Sequence, residues 1–442
     1  MQFPPFLHYW NRIIFRLKYQ GMKIAILGAG FAGLTAALRL TEEGHEVTVF
    51  ESESSVGGLA GGFKLPGWDW TLEKSYHHLF TNDTFSFNMA KKLGQNLIIQ
   101  RPETNIMVSG NIMPLDSAKA LLRFPYLNPI DRIRTGLVTA YLKATSSYKV
   151  FEGKAALAWV RKTMGKEATK LIWEPLFKGK FGDLSEEVAL TWFWARIKKR
   201  TPSLAYPEEG FTSFAQKIAE RIEKLGGKIL LNNEVTSISS ESSDISLQTK
   251  KGAYKFDKAI VTLPTPIFAK IASLPKSYTE KAFKIPRLSA LNLVLVSKKP
   301  FLKDTYWLNI TDTRFPFLVL AEHTNFMSPK HYGGQHILYI GNYLPHDHPY
   351  LKMSPHELLK IFDPFLKKIN PQYERFAVAP YLFSQPFAQP VVTTEYPKLI
   401  PNFQTPLKNV YLANLDMVYP WDRGTNYAIE LGEKIVKKIY ET

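Results

Sequence analysis

The chain has 442 residues, 45% hydrophobic and 21% charged, a balance that gives core enough for two or three domains and excludes a disordered chain. It contains no Cys, which excludes disulfides, cysteine-ligated zinc, iron–sulfur clusters and a thioether-tethered cofactor, and fits a reducing cytoplasm. The net charge of +17 suits phosphorylated ligands or an anionic lipid surface, or else a plain solvated basic surface; no nucleic-acid-binding module is visible, so nucleic acid is not expected as a partner.

Residues 1–21 form an extension of their own. Phe6, Leu7, Trp10, Ile13, Ile14 and Leu17 recur at helical spacing, with Arg12, Arg16 and Lys18 mostly on other faces. That pattern suits an amphipathic helix lying in a membrane interface. Met22, directly before the first strand, offers an alternative start, and both readings stay open. No apolar run reaches the roughly 18 residues of a spanning helix. The expected localisation is therefore cytoplasmic, with peripheral contact at the inner face of the cell membrane if the first reading holds.

The strand Lys23–Leu27 runs straight into Gly28-x-Gly30-x-x-Gly33, with a helical pattern behind it and a second strand, Val47–Phe50, ending on Glu51. Gly28 permits the tight turn, Gly30 the close approach of a pyrophosphate, and Gly33 close packing of helix on strand. Phe31 and Ala32 open that helix, whose free N–H groups and dipole face the phosphates. Glu51, with Ser52 beside it, is placed to accept hydrogen bonds from a ribose hydroxyl. The unit as a whole predicts a dinucleotide site.

A glycine-dense stretch follows, Val56-Gly57-Gly58-Leu59-Ala60-Gly61-Gly62-Phe63, whose missing side chains suit backbone contact with a ligand. It leads into Trp68-Asp69-Trp70 and Tyr76-His77-His78-Leu79-Phe80. From Met89 to Arg200 the pattern reads as mainly helical, with helices over Ala155–Met164 and Glu167–Leu176, and Trp192-Phe193-Trp194 as core aromatics. Pro202, Pro207 and Gly210 mark a boundary. Ser213–Leu225 reads as an amphipathic helix stopped by Gly226-Gly227, followed by strands Lys228–Leu231, Val235–Ser239, Ile245–Thr249 and Ala259–Leu263. Strand-like runs over Leu291–Val296, Phe317–Ala321 and His336–Ile340 alternate with a helix over Ser354–Lys368. A last strand, Val410–Ala413, precedes a helix over Asn426–Tyr440. This order predicts an α/β fold with a discontinuous Rossmann-like nucleotide domain (22–88, 207–270 and 391–442). A mixed α+β substrate domain (89–206 and 271–390) is inserted into it.

Four of these segments, in order, resemble the flavin-dependent superfamily of amine oxidases, protoporphyrinogen oxidases and phytoene desaturases. They are Gly28–Gly33 with Glu51, Gly57-Gly58, Gly226-Gly227 through Glu234-Val235, and Tyr411-Leu412-Ala413 with the helix from Gly424 to Gly432. The resemblance implies a fold of the glutathione-reductase-2/amine-oxidase type that binds FAD. In it Gly57, Gly58, Leu59 and Ala60 wrap the pyrophosphate and ribityl chain, and the Val235 backbone meets the adenine. Gly424, Thr425 and Asn426 cap the flavin's pyrimidine edge, with Trp421 nearby. The family's Gly-Asp or Gly-Glu pair is replaced here by Asn414-Leu415, so Asp416 is the candidate for that contact; the usual Gly-Ala pair of the final helix reads Tyr427-Ala428.

Flavin chemistry asks little of side chains, so no triad is expected. His77 and His78, past the glycine loop, and His323, after the strand Phe317–Ala321, are the catalytic candidates, as proton shuttles or anion ligands. Arg423 is placed to meet phosphate or carboxylate. His331, His336, His346, His348 and Asp347 lack the helical spacing of a metal site, and no metal is expected. Three functions compete: an FAD-dependent oxidoreductase of an apolar or amphipathic small molecule (a porphyrinogen, an isoprenoid or an amine), a non-redox flavoenzyme resembling UDP-galactopyranose mutase, and a flavin-binding module without turnover. Oligomeric state is not legible.

Overall fold

A computed structural model describes residues 21–241 and 244–441. The helix expected over 1–21 thus falls, apart from Gly21, outside the described residues. Five parallel strands form the first sheet, in the order Lys228–Leu230, Glu46–Phe50, Lys23–Leu27, Lys258–Val261, Val410–Leu412. Their interior residues are mostly apolar because both faces are covered: Ile24, Ala25 and Ile26 are wholly buried. The register sets Leu27 opposite Phe50 and Val261, and Val261 opposite Leu412. The carboxyl ends of four strands therefore share one edge, where open α/β sheets bind ligands.

The helices Phe31–Glu42, Phe211–Lys224 and Thr425–Tyr440 pack together as one layer of this sheet's core. Phe31 meets Phe214 edge-on at 5.4 Å. Gly432 lets the last helix touch the first, since a Cβ there would lie 2.6 Å from the Ala32 carbonyl oxygen. A three-stranded antiparallel sheet, Val235–Glu241, Asp244–Thr249 and Gly252–Phe256, supplies the opposite cluster with Ile238, Ile245 and Leu247.

The second large sheet has seven strands, in the order Ala377–Pro390, Arg287–Ser297, His336–Leu344, Val319–Glu322, Thr305–Ile310, Glu103–Val108, Asn111–Pro114. It is antiparallel except where Thr305–Ile310 runs alongside Glu103–Val108. The helix Pro355–Ile369, started by a Ser354–Glu357 capping box, buries Leu358, Phe362 and Leu366 against it. Helices between 118 and 199 form their own core around Trp192, Phe193 and Trp194.

One expectation needs correction. The segment 89–200 is not mainly helical at its start: Leu97–Gln100, Glu103–Val108 and Asn111–Pro114 are strands. Asn105, inside the second of these, is satisfied by a distant partner, Thr305 at 2.6 Å, so a buried polar residue interrupts the local apolar pattern. The helix read over Glu167–Leu176 lies within a continuous helical run, Lys166–Phe181, that widens to a π turn over Thr169–Trp173. Pro175 lacks an N–H to donate to the preceding turn, and the wider π turn accommodates that loss.

Candidate active site

The glycine turn at the end of the first strand is held by backbone geometry. Gly28 has φ +107° and donates its N–H to the Phe50 carbonyl at 2.8 Å. A Cβ on Gly33 would lie 2.0 Å from the Gly28 carbonyl oxygen, so no other residue fits there. The second glycine loop stacks directly on the first: Gly30 bridges Gly57, and Gly58, at φ +56°, would place a Cβ 3.0 Å from the Gly30 Cα. Ala60 is buried, while Leu59 is exposed and its carbonyl accepts from Gln385 Nε2 at 2.9 Å.

The structure gives Glu51 a role in the turn itself. Its Oε2 accepts the Ala29 N–H at 2.8 Å, and its Oε1 accepts the Glu53 N–H at 3.0 Å and the Ser52 hydroxyl at 3.2 Å. This carboxylate pins the loop before it can meet a ribose.

Two helices begin with no side-chain cap: Phe31–Glu42 after Gly30, and Thr425–Tyr440 after Gly424. Bare first-turn N–H groups and two positive dipole ends, beside a cradle that a Cβ would fill, suit an anionic pyrophosphate. The residues present therefore fit FAD. In this fit Gly28, Gly30, Phe31, Ala32, Gly33, Gly57 and Gly58 would hold the pyrophosphate through backbone, and Gly424 and Thr425 the flavin end.

Some expected contacts are committed elsewhere. The Asp416 carboxylate is buried in an ion pair with Arg287 (2.8 Å) and accepts from Thr265 Oγ1 at 2.5 Å, which leaves it no free face for a cofactor. Asn426 Oδ1 accepts the N–H groups of Phe85 and Ser86, capping the helix Thr84–Leu93, so that oxygen is committed away from a cofactor. Val235 opens a strand paired with Thr249 and is buried. Trp421 stacks between Trp194 (5.2 Å) and Tyr427 (5.9 Å, 8° between planes).

The three histidines do not converge. His77 Nδ1 lies 2.7 Å from the Ser75 carbonyl, to which it donates, and burial lowers its pKa to about 4. His78 Nδ1 lies 3.1 Å from the Tyr306 hydroxyl, in a small cavity lined by Arg200, Phe80 and Trp307, and burial lowers it to about 3. His323 is packed into the protein core, with Nε2 2.7 Å from the Tyr332 hydroxyl and Tyr206 at 5.3 Å. His323 is thus a core group without access to a substrate.

A polar network that sequence reasoning missed lies next to the last helix. Arg423 bonds the hydroxyl of Tyr343, which in turn accepts from Tyr76 at 3.2 Å. Arg423 Nε also donates to Gln389 Oε1 at 2.8 Å. Its neighbour Asp422 pairs with Arg196 at 2.8 Å and sits 3.8 Å from buried Lys180. Burial alone would raise the Asp422 carboxyl, but Lys180, Arg196 and Arg423 outweigh it and hold it below the usual carboxylate range. Burial pushes the Lys180 ammonium well down against the pull of Asp422. Rings of Tyr343 and Trp192 lie 5.0 Å from its Nζ. A second chain of bonds links Ser75 to Gln385 (2.8 Å) and to Asn292 (2.7 Å), tying the glycine loop to the seven-stranded sheet. Lys180 and Arg196 lie more than 200 residues from Asp422, and no spacing in the sequence joins them.

Among the described residues no group of three His, Asp or Glu could hold a metal ion. Comparisons with known proteins match this architecture. Residues 31–433 match the family model of flavin-containing amine oxidoreductases. The chloroplastic/chromoplastic zeta-carotene desaturase of Arabidopsis thaliana is 37% identical over 132 residues, 29% of this chain and 23% of that relative. The aligned stretch thus spans about a quarter of the curated relative's length. Among solved structures, a putative protoporphyrinogen oxidase from Exiguobacterium sp. 255-15 superposes with TM-score 0.75 at 14% identity, covering 95% of this chain and 99% of that one. Reduced UDP-galactopyranose mutase superposes with TM-score 0.75 at 17% identity, covering 95% of each. These two likenesses are of fold. With the glycine cradle and the residues 31–433 accounted for, the chain belongs to the flavin-containing amine oxidoreductase family.

Proposed function

We propose that this oxidoreductase takes a hydride or electrons from an apolar or amphipathic small molecule of the isoprenoid type. One observation carries the reading: the groups facing the junction of the glycine loop and the seven-stranded sheet are mostly rings without charge. Phe63 packs on Phe383 (4.6 Å) and Tyr381 (5.8 Å), and Tyr76 on Trp307 (4.9 Å). His77 and His78 are neutral near pH 7, and burial raises Tyr76 far above its ordinary range. Such a wall binds hydrocarbon by excluding water. Forming a double bond there takes a hydride from one carbon and a proton from the next. The neutral imidazole of His77, whose Nδ1 hydrogen goes to the Ser75 carbonyl, can accept that proton at Nε2. The name of the desaturase relative, an enzyme of zeta-carotene, favours the same substrate class.

Bound FAD supplies the acceptor for the electrons. The chain's own residues orient and shield. Trp421 and Tyr427 stack at the start of the last helix, whose positive dipole end favours negative charge beside it. The test is anaerobic mixing of the loaded protein with long-chain isoprenoids, with loss of the flavin's visible absorbance as readout. Absence of bleaching by every isoprenoid offered, with bleaching by amines or porphyrinogens, refutes the substrate class.

A second reading rests on the cations. Lys180, Arg196 and Arg423 outnumber Asp422, and this excess suits a diphosphate of a nucleotide sugar. Turnover of a UDP-sugar only with pre-reduced flavin, and with no net electron transfer, would establish that reading.

A further inference from the structure

The helix Pro129–Ala144 carries an apolar face that nothing in the described chain covers. Ile130, Ile133, Leu137 and Tyr141 are 68%, 55%, 66% and 51% exposed. At 100° per residue they fall within a stripe of about 80°. Asp131, Thr135 and Leu142, on the far side of the same helix, are buried against the protein. Leu122 (57% exposed) ends the short helix Ala118–Leu122, which packs against this one. Val150 (50% exposed) precedes Phe151, whose ring meets that of Tyr141 edge-on at 6.0 Å. Scattered exposed leucines need no explanation, but a contiguous helical stripe of this length marks an interaction surface.

Charge decides the occupant. Between residues 118 and 166 the sequence holds ten Lys or Arg against two Asp or Glu, so nearly half of the chain's +17 lies on about a ninth of its length. Lys119, Arg123, Lys143 and Lys149 are exposed around the stripe. A second copy of such a face would meet its own positive charge, which opposes self-association. A bilayer bearing anionic headgroups complements it, with hydrocarbon for the stripe and negative charge for its rim. No helix among the described residues is long and apolar enough to cross a membrane, so the contact is with the surface.

We propose that the outer face of helix Pro129–Ala144, with Leu122 and Val150, docks the protein on an anionic lipid bilayer. The helix is joined to the site described above. Trp194 Nε1 donates to the Thr145 carbonyl at its end, and Lys198 and Lys143 bond the carbonyls of Lys143 and Arg200. The helix Leu190–Lys199 that makes these bonds also carries Arg196, the partner of Asp422, and Trp194, which stacks on Trp421. The docking surface and the site are two sides of one packed pair of helices.

The test is flotation of the full FAD-loaded chain with vesicles of phosphatidylcholine alone or with phosphatidylglycerol added, which needs no turnover and so stands apart from the substrate question. Wild type is expected to float with the anionic vesicles and to bind them at least tenfold less in high salt. Leu137→Glu is expected to lower that binding at least tenfold, with flavin content and melting temperature unchanged, since the side chain is exposed. The pair Lys119→Gln and Arg123→Gln, which alters no packed group, is expected to reduce the salt dependence and serves if Leu137→Glu misfolds. Equal flotation of these variants and wild type, failure of wild type to bind anionic vesicles, or a wild-type dimer in sedimentation velocity that Leu137→Glu disperses would each overturn the proposal.

Discussion

Removing the Glu51 carboxylate should destabilise the protein even when no flavin is bound. In the structure this side chain, only 9% exposed, accepts two backbone N–H groups, from Ala29 at 2.8 Å and Glu53 at 3.0 Å. Hydrogen bonds to a charged acceptor are each worth about 1.5–3 kcal/mol, and water entering the loop of Glu51→Ala replaces part of that, leaving a loss of about 3 kcal/mol. With an unfolding entropy of about 2.1 cal/mol/K per residue, a chain of 442 residues has about 0.9 kcal/mol/K, so the midpoint should fall by about 3–4 °C. Glu51→Gln keeps the shape but turns one amide NH₂ toward an N–H donor, and should fall by a similar amount. The assay is thermal melting of the flavin-free protein, followed by flavin content after reconstitution. Apoprotein variants melting within about 1 °C of wild type, with only flavin retention reduced, would refute the reasoning: the carboxylate would then act on the cofactor alone.

Gly33→Ala should yield little folded protein, because its Cβ would lie 2.0 Å from the Gly28 carbonyl oxygen; soluble, flavin-loaded Gly33→Ala contradicts this geometry. Gly58→Ala meets the milder 3.0 Å contact with Gly30 and a φ of +56°, so it should fold but show a reduced ratio of flavin to protein absorbance after purification. Asp422→Asn should cost about 3–5 kcal/mol in chemical denaturation, because it leaves Lys180 and Arg196 without their anion in a half-buried cluster. Lys180→Met should cost far less, since Asp422 keeps Arg196. For pH, burial lowers His323 to about 3 in the folded chain against about 6.5 when unfolded. The unfolded state therefore takes up a proton first as pH falls, and stability drops between about pH 6.5 and the folded value. His323→Phe should flatten that slope by up to about 1.4 kcal/mol per pH unit, measured as denaturation free energy between pH 6.5 and 5.

Local geometry was legible and distant pairing was not. The Gly28–Gly33 turn and the Gly57-Gly58 loop could be read because each glycine answers a need set within a few residues: a left-handed φ, or a Cβ with no room. The five strands of the parallel sheet were legible as short apolar runs between breakers, and the helix read over Ser354–Lys368 is present as Pro355–Ile369. The strand Glu103–Val108 was not, since its interior Asn105 is satisfied by Thr305 200 residues away, and Asn111–Pro114 is a strand by pairing with it. The same holds at the site. Asp416 follows the family's order but spends its charge on Arg287, and Asn426 caps a neighbouring helix, pairings that no spacing encodes. His323 looked available because it follows a strand, while the ring cluster that buries it comes from Tyr206, Tyr332 and Tyr339. Lys180 and Arg196 sat unremarked in helices whose aromatics drew notice, until the fold set them against Asp422.

Transfer of electrons from an apolar substrate to the flavin is tested most directly by anaerobic titration of the FAD-loaded protein. A long-chain isoprenoid presented in detergent or vesicles should bleach the flavin's visible band, with a stoichiometric gain of one double bond in the recovered product. A flavin that stays oxidised with every isoprenoid, while the pre-reduced protein interconverts a UDP-sugar without net electron transfer, would contradict it.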